Sequence, residues 1–276
     1  MNNFSQLVSV QWLNHHLNDT NIVMLFTSMK DPISGQTDDS PDGYIPGSRF
    51  FDFEAVICDL TTGLPHTMPS AELFASEVQK LGVNKDSHII VYDNRGIYSS
   101  PRVWWMFKAM GHENVSVLDG GLPAWNQQGY NLDICLTLDQ QRGDFSSDLQ
   151  VERLISAEQL LVNLDKVQVI DARSEARFYA TAPEPRAGLR GGHIPTAINL
   201  PFADCIRNGF LLPPEELRQL ILKLAMDSNK KLIFSCGSGV TACILALSFQ
   251  QISYQNMAIY DGSWSEWGGR LDLPIA

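Results

Sequence analysis

The sequence predicts an α/β fold made twice over, a tandem duplication in which each domain is a central parallel sheet with helices on both faces. Three observations carry this expectation. Short β-branched and aromatic runs alternate with helix-like runs, the pattern of a parallel sheet covered on both sides. Blocks of the first half recur in the second half in the same order. Apolar runs end in polar, glycine-containing loops, the places where such sheets bind ligands.

The duplication can be read block by block. "HIIVYDNRGIYSS" (88–100) matches "KLIFSCGSGVTAC" (231–243), so Asp93 falls where Cys236 falls, 143 positions later. "VSVLDGGLPAW" (115–125) matches "MAIYDGSWSEW" (257–267). "MPSAELFASEVQKLGV" matches "LPPEELRQLILKLAM", "YIPGSRFFDFE" (44–54) matches "HIPTAINLPFA" (193–203), and "VSVQWLNHHL" matches "ISAEQLLVNL". The expected division is a first domain over 1–130, an extended linker over 131–150 and a second domain over 151–276. The linker expectation rests on the polar stretch "QQRGDFSS", which has no helical period.

In the second half the predicted strands are "VQVID" (167–171), "AINLP" (197–201), "KLIFS" (231–235) and "MAIYD" (257–261). The helix predicted for "PPEELRQLILKLAM" opens with Pro214 and has Glu215 and Glu216 in its first turn. Its Leu217, Leu220, Ile221 and Leu224 share one face. "SAEQLLVNL" reads as a second helix.

Composition narrows the function. The chain has 276 residues, 44% hydrophobic and 18% charged, which is ordinary for a globular protein. A net charge of -11 argues against nucleic acid or an anionic membrane as partner. It leaves room for a small anionic ligand, because a local arginine cluster outweighs a distant field. No apolar stretch is long enough to span a membrane. "MNNFSQLVSV" does not read as a secretory signal. The five cysteines, Cys58, Cys135, Cys205, Cys236 and Cys243, show no CxxC spacing, so neither a disulfide framework nor a zinc knuckle is expected. A reducing, cytoplasmic setting fits free thiols.

Cys236 ends a strand and opens the loop Gly237-Ser238-Gly239-Val240-Thr241, which leads into a helix. Such a loop lets successive N–H groups converge, and a helix N-terminus stabilises a thiolate. From the loop alone, a nucleophile in an amide cradle and a buried core thiol are both open. Cys243, inside "TACILALSF", reads as packing, as do Cys58, Cys135 and Cys205. A cysteine phosphatase would need an arginine where Ala242 stands, and a Walker loop would need Gly-Lys-Ser/Thr, so both are excluded.

These stretches resemble the two-domain rhodanese-like sulfurtransferases, and among them the 3-mercaptopyruvate-using members. The carriers are "CGSGVTA" (236–242), "DAR" (171–173), "ARFYATAPEPRAGLRGGHIPTAINLPF" (176–202), "YDNRGIYSSPRVWWMF" (92–107), "VLDGGLPAW" (117–125) and "YDGSWSEWG". The resemblance implies that Cys236 becomes a persulfide and that the amides of Gly237, Gly239, Val240, Thr241 and Ala242 cradle it. It implies a contact from Ser238 to the substrate sulfur or help with proton movement. Arg177 and Arg186 fall on the family's substrate-binding arginines, with Arg173 and Arg190 near enough in sequence to add field. Asp93 marks a non-catalytic first domain. No metal or organic cofactor is implied. The implied partners are a small anionic sulfur donor and a thiol or cyanide acceptor, thioredoxin among them.

Neutral Gly237 and Ser238 favour mercaptopyruvate over thiosulfate, whose users carry basic residues after the cysteine. The first-half motif has Tyr44 where the family has a histidine, and a tyrosine cannot take that histidine's part as a base near neutral pH. A serine–histidine–aspartate relay is therefore not expected. The first half also has "IVMLFTSM" (22–29) in place of "VQVIDARS" and so lacks Asp-x-Arg. His193 is expected to be a structural cap, and Trp104, Trp105, Trp125, Trp264 and Trp267 to be packing, with the last two able to wall a pocket. A thiosulfate sulfurtransferase and a low-turnover persulfide carrier or thiol-sensing module are the rival readings.

Overall fold

The computed structural model describes residues 5–30, 36, 43–138, 140–224, 226–227 and 229–276. Residues 1–4 of the stretch read for a signal, and Ala225 of a predicted helix, lie outside these. Two compact units emerge. The first comprises residues up to Asp59, Met68–Gln150 and Asn208–Leu211; the second comprises Leu60–Thr67, Val151–Arg207 and Leu212–Ala276.

The first unit has strands β1 (Leu7–Val8), β2 (Ile22–Phe26), β3 (Arg49–Phe50), β4 (His88–Tyr92) and β5 (Val115–Leu118), in the order β1-β5-β4-β2-β3. Every pairing is parallel. Strand β4 is buried along its whole length, which is why it reads as a continuous apolar run rather than an alternating one. Helices α1 (Val10–His16) and α2 (Ala71–Lys80) start on Ser9 and Ser70, whose hydroxyls accept from Trp12 N and Leu73 N. Helices α3 (Ser100–Ala109) and α4 (Gly121–Gln127) follow β4 and β5. One core joins Val10 and Leu13 of α1, Trp125 of α4 and the strand residues Met24, Phe26, Ile90 and Tyr92. A second is aromatic: Phe74 of α2 and Phe107 of α3 meet edge to face at 5.0 Å, with Phe51 and Phe145 against them.

The expected linker, 131–150, belongs to this unit. Its described residues include no helix, yet several of them are tied to the unit by backbone hydrogen bonds. Gly143 N donates to Gln79 O at 2.8 Å, Asp148 N to Met110 O at 2.9 Å and Gln150 N to Ala109 O at 2.8 Å. Phe145 inserts into the aromatic core with 1% of its surface exposed. The sequence boundary at residue 130 is thus not where packing ends: extended backbone without a period can still hydrogen-bond and bury an anchor. Leu60–Thr67 and Asn208–Leu211 likewise cluster with the unit opposite to their half of the sequence.

The second unit repeats the plan. Its strands β6 (Leu154–Ile155), β7 (Val167–Asp171), β8 (Ile198–Asn199), β9 (Lys231–Ser235) and β10 (Met257–Tyr260) lie in the order β6-β10-β9-β7-β8, all parallel. Helices α5 (Ala157–Leu161), α6 (Glu175–Phe178), α7 (Pro214–Leu222), α8 (Ala242–Gln251) and α9 (Ser263–Trp267) connect them. Helix α5 opens on a full capping box between Ser156 and Gln159. Helix α7 buries Leu217 and Ile221, on the face the period predicted, and ends at Leu222, before the predicted end. Register pairs Asp171 at the end of β7 with Ser235 at the end of β9, so the chain after each strand emerges on one edge. No helix among the described residues is long and apolar enough to cross a membrane.

One buried group ties the first unit's stability to pH. His88 Nε2 lies 2.9 Å from Ser116 Oγ, which itself donates to Ser5 O, so the ring donates to the serine. Burial, with His112 and His16 adding repulsion, lowers the His88 imidazole to about 4. An unfolded histidine titrates near ~6.5. Protonation therefore favours the unfolded chain, and this contribution is whole above ~6.5 and is lost as pH falls toward about 4. Thermal unfolding followed from pH 7 to pH 4 should show a falling midpoint that is less steep in His88→Gln, which keeps a donor for Ser116. Equal steepness would remove His88 as the source.

Candidate functional site

The two units carry the same loop with opposite contents. In each, the central strand ends and the chain turns through a glycine at positive φ, Gly96 at 103° and Gly239 at 76°, which a side chain would strain. A second turn after the neighbouring strand closes on the first. Leu122 N donates to Asp93 O at 2.9 Å in one unit and Trp264 N to Cys236 O at 3.0 Å in the other. Gly121 (φ 52°) and Ser263 (φ 49°) occupy matching left-handed positions just before these donors.

In the first unit the loop's N–H groups converge on an anion. Asp93 Oδ2 accepts from Tyr98 N at 2.8 Å, Ser99 N at 3.0 Å, Ser100 N at 2.9 Å and Ser100 Oγ at 2.6 Å, while Oδ1 accepts from Arg95 N at 2.9 Å. In the second unit the strand ends on Cys236, whose surface is 2% exposed. Among the described residues, the N–H groups of Gly237, Ser238, Val240 and Thr241 have no acceptor. Val240 and Ala242 are buried beside them at the start of α8. The backbone of Cys236 and Gly237 is held by the β10–α9 corner: Cys236 N donates to Ser263 Oγ, and Ser265 donates to Gly237 O from both N (2.9 Å) and Oγ (2.7 Å).

The other thiols are differently placed. Burial pushes the Cys205 thiol up to about 12. Burial and the carboxylates of Asp52, Asp59 and Glu54 raise the Cys58 thiol. Cys243 is enclosed and donates to Gly239 O, and Cys135 is exposed.

Both predicted substrate arginines reach Cys236's neighbour. A Cβ built on Gly237 would lie 3.0 Å from Arg177 Nη2, 3.8 Å from Arg177 Nη1 and 3.8 Å from Arg186 Nη1. The absence of a side chain at 237 therefore leaves the guanidinium groups close to the loop backbone. Arg173 and Arg190, expected to add field, are committed elsewhere. Arg173 is fully buried against Asp171 and Glu184 and lies over the Trp264 ring at 4.1 Å. Arg190 donates to the carbonyls of Trp267, Gly268, Arg270 and Leu273. Trp264 and Trp267 are wholly enclosed, so they pack rather than wall a pocket. His193 stacks on Phe178 at 3.8 Å and its Nδ1 meets Phe178 O, a structural arrangement.

A histidine does reach Ser238, although not from position 44. His66 Nδ1 lies 2.9 Å from Ser238 Oγ, 172 positions away in sequence. His66 sits in Leu60–Thr67, the first-half stretch that clusters with the second unit, at φ 62° and 9% exposed. A histidine in that conformation is uncommon and clusters at functional positions. Its sole local signal is its setting in "LPHTMPS". Tyr44, on which the expectation rested, instead bridges Asp133 through paired backbone hydrogen bonds and packs on Phe26.

Comparisons with known proteins bear on the family and the fold. The model of the rhodanese-like domain matches twice, over residues 9–128 and 156–270. The chain is 40% identical over 275 residues to the 3-mercaptopyruvate sulfurtransferase of Escherichia coli (strain K12), covering 97% of this chain and 96% of that protein. It is 38% identical to the thiosulfate/3-mercaptopyruvate sulfurtransferase 1, mitochondrial, of Arabidopsis thaliana, covering 98% of this chain and 77% of that one. The crystal structure of SseA from Escherichia coli superposes with a TM-score of 0.84 at 37% identity, over 95% of this chain and all of that one.

If the loop of the first unit depends on its internal anion, Asp93→Ala leaves buried donors without an acceptor. It should lower unfolding free energy by about 2–4 kcal/mol in denaturant titrations. A change below about 0.5 kcal/mol would mean that water satisfies those amides equally well.

Proposed function

Because the chain belongs to the rhodanese-like family, we propose that it carries the sulfur of 3-mercaptopyruvate on Cys236 to a thiol or cyanide acceptor, with release of pyruvate. The single observation that carries this reading is the convergence of Arg177 and Arg186 on Gly237, the residue after the thiol. Two guanidinium forks suit a planar carboxylate with an adjacent ketone.

The chemistry follows from the placements. The Cys236 thiolate attacks the donor's sulfur. A sulfur–sulfur bond forms, the donor's carbon–sulfur bond breaks, and the electron pair remains on carbon as the enolate of pyruvate. The proton of the donor thiol ends on that carbon. The Ser238–His66 pair offers a path for it, since a hydroxyl and an imidazole in hydrogen-bond contact can pass one proton in and another out. The product is the Cys236 persulfide anion. Asp93 supports its placement. A carboxylate oxygen and the outer sulfur of a persulfide both stand two bonds from Cβ, and four backbone N–H groups of the matching loop meet that carboxylate. A reduced thiol such as a thioredoxin-type dithiol then attacks the outer sulfur and returns Cys236 as thiolate.

Pyruvate release with mercaptopyruvate as donor tests the nucleophile. Cys236→Ser should lose at least about a thousandfold in turnover and the +32 Da adduct seen by mass spectrometry. Retained turnover would remove Cys236 from the reaction. The donor is tested by kcat/KM, which should favour mercaptopyruvate over thiosulfate in the wild type; the reverse order would overturn it. His66→Gln should cut kcat by about a hundredfold with mercaptopyruvate while the thiol still alkylates. An unchanged kcat would leave the proton path elsewhere.

A further inference from the structure

Arg177 is one of the two arginines near Gly237. It lies in a four-residue helix, α6, its side chain is 24% exposed, and its stem is long. An arginine held by nothing loses rotamer freedom when a ligand fixes it. Something in the fold already fixes it. Glu184, from the irregular segment between α6 and β8, has a side chain only 2% exposed. Its Oε2 accepts from Arg177 Nη2 at 2.6 Å and its Oε1 accepts from Arg177 Nε at 3.3 Å. That is a side-on fork across one edge of the guanidinium. Among the described residues Nη1 has no hydrogen-bond partner, and both terminal nitrogens lie near Gly237, Nη2 at 3.0 Å and Nη1 at 3.8 Å from where a Cβ there would stand.

Glu184 is itself held. Its Oε1 also accepts from Arg173 Nη1 at 2.8 Å. Arg173 grips Asp171 through Nε and Nη2 and donates to Gly192 O at 2.9 Å. Asp171 closes β7, in register with Ser235 of β9, one residue before Cys236. A continuous run of charge-assisted hydrogen bonds thus leads from the sheet beside the thiol, through Arg173 and Glu184, to Arg177.

We propose that Glu184 is the positioning residue that orients Arg177 toward the donor carboxylate before the donor arrives. This role rests on mercaptopyruvate being the donor. Pre-ordering moves the entropy loss from binding to folding, so it strengthens donor binding. Glu184 also cancels one positive charge, so that the pair selects by shape rather than by net attraction.

The test compares two sulfur donors in Glu184→Gln. With mercaptopyruvate, KM should rise about tenfold while kcat stays within about twofold. With inorganic tetrasulfide, which carries no carboxylate, +32 Da loading of Cys236 should match the wild type. In an Arg177→Lys background, Glu184→Gln should add little further loss, because the two act through one contact. Equal losses with both donors, or full additivity with Arg177→Lys, would reduce Glu184 to general structural support and overturn the proposal. So would an unchanged KM in a wild-type-like variant. A wild type that releases no pyruvate from mercaptopyruvate fails differently: it overturns the donor reading, and this role with it.

Discussion

The structure depends on one demand of the backbone. After each central strand the chain turns so tightly that several N–H groups point at one place, and buried donors without an acceptor cost about 1–3 kcal/mol each. The first unit answers with the carboxylate of Asp93. In the second, Cys236 stands at that strand end, and the N–H groups of Gly237, Ser238, Val240 and Thr241 have no acceptor among the described residues. The surrounding apparatus is shared: a left-handed glycine in the loop and a left-handed residue in the corner that clamps it. One side chain at the strand end therefore separates a half whose loop amides are satisfied from one whose amides are left open. A carboxylate satisfies the amides permanently and cannot exchange sulfur.

The second organising feature is the buried ionic run from Asp171 to Arg177. Buried ion pairs contribute little stability unless all their hydrogen bonds are met. Here Arg173 meets Asp171, Glu184 and a carbonyl, and its flat face rests on Trp264. That arrangement yields direction more than stability. It converts the rigidity of a central strand into the aim of a side chain on a four-residue helix.

Much of the site is legible locally. Cys236, its glycine loop and the helix that follows are contiguous, so strand period, loop composition and helix start can be read together. Arg177 and Arg186 lie nine positions apart in one segment, and the structure does bring both to Gly237. Long-range partners left no such trace. His66 lies in the other half of the sequence, in a short proline-flanked stretch with no period, and attention fell on Tyr44 because it occupies a matched motif. Nothing in "PEPR" says that the Glu184 side chain is buried between two arginines. The 131–150 segment read as linker because extended chain has no period, although Phe145 seats it in a core.

By itself the sequence determined the α/β class, the doubling, the order of parallel strands and helices, and which half holds the thiol. These follow from period, turn chemistry and repetition, all properties of neighbours along the chain. Tertiary structure decided which residues surround the thiol: His66 on Ser238, Glu184 on Arg177 and the Ser263–Ser265 corner on Cys236 and Gly237. It also decided that Arg173 and Arg190 serve the fold. The reason is geometric. A side chain's chemistry is set by what lies within about 3 Å of it, and in a parallel sheet with long crossovers those atoms come from distant parts of the chain.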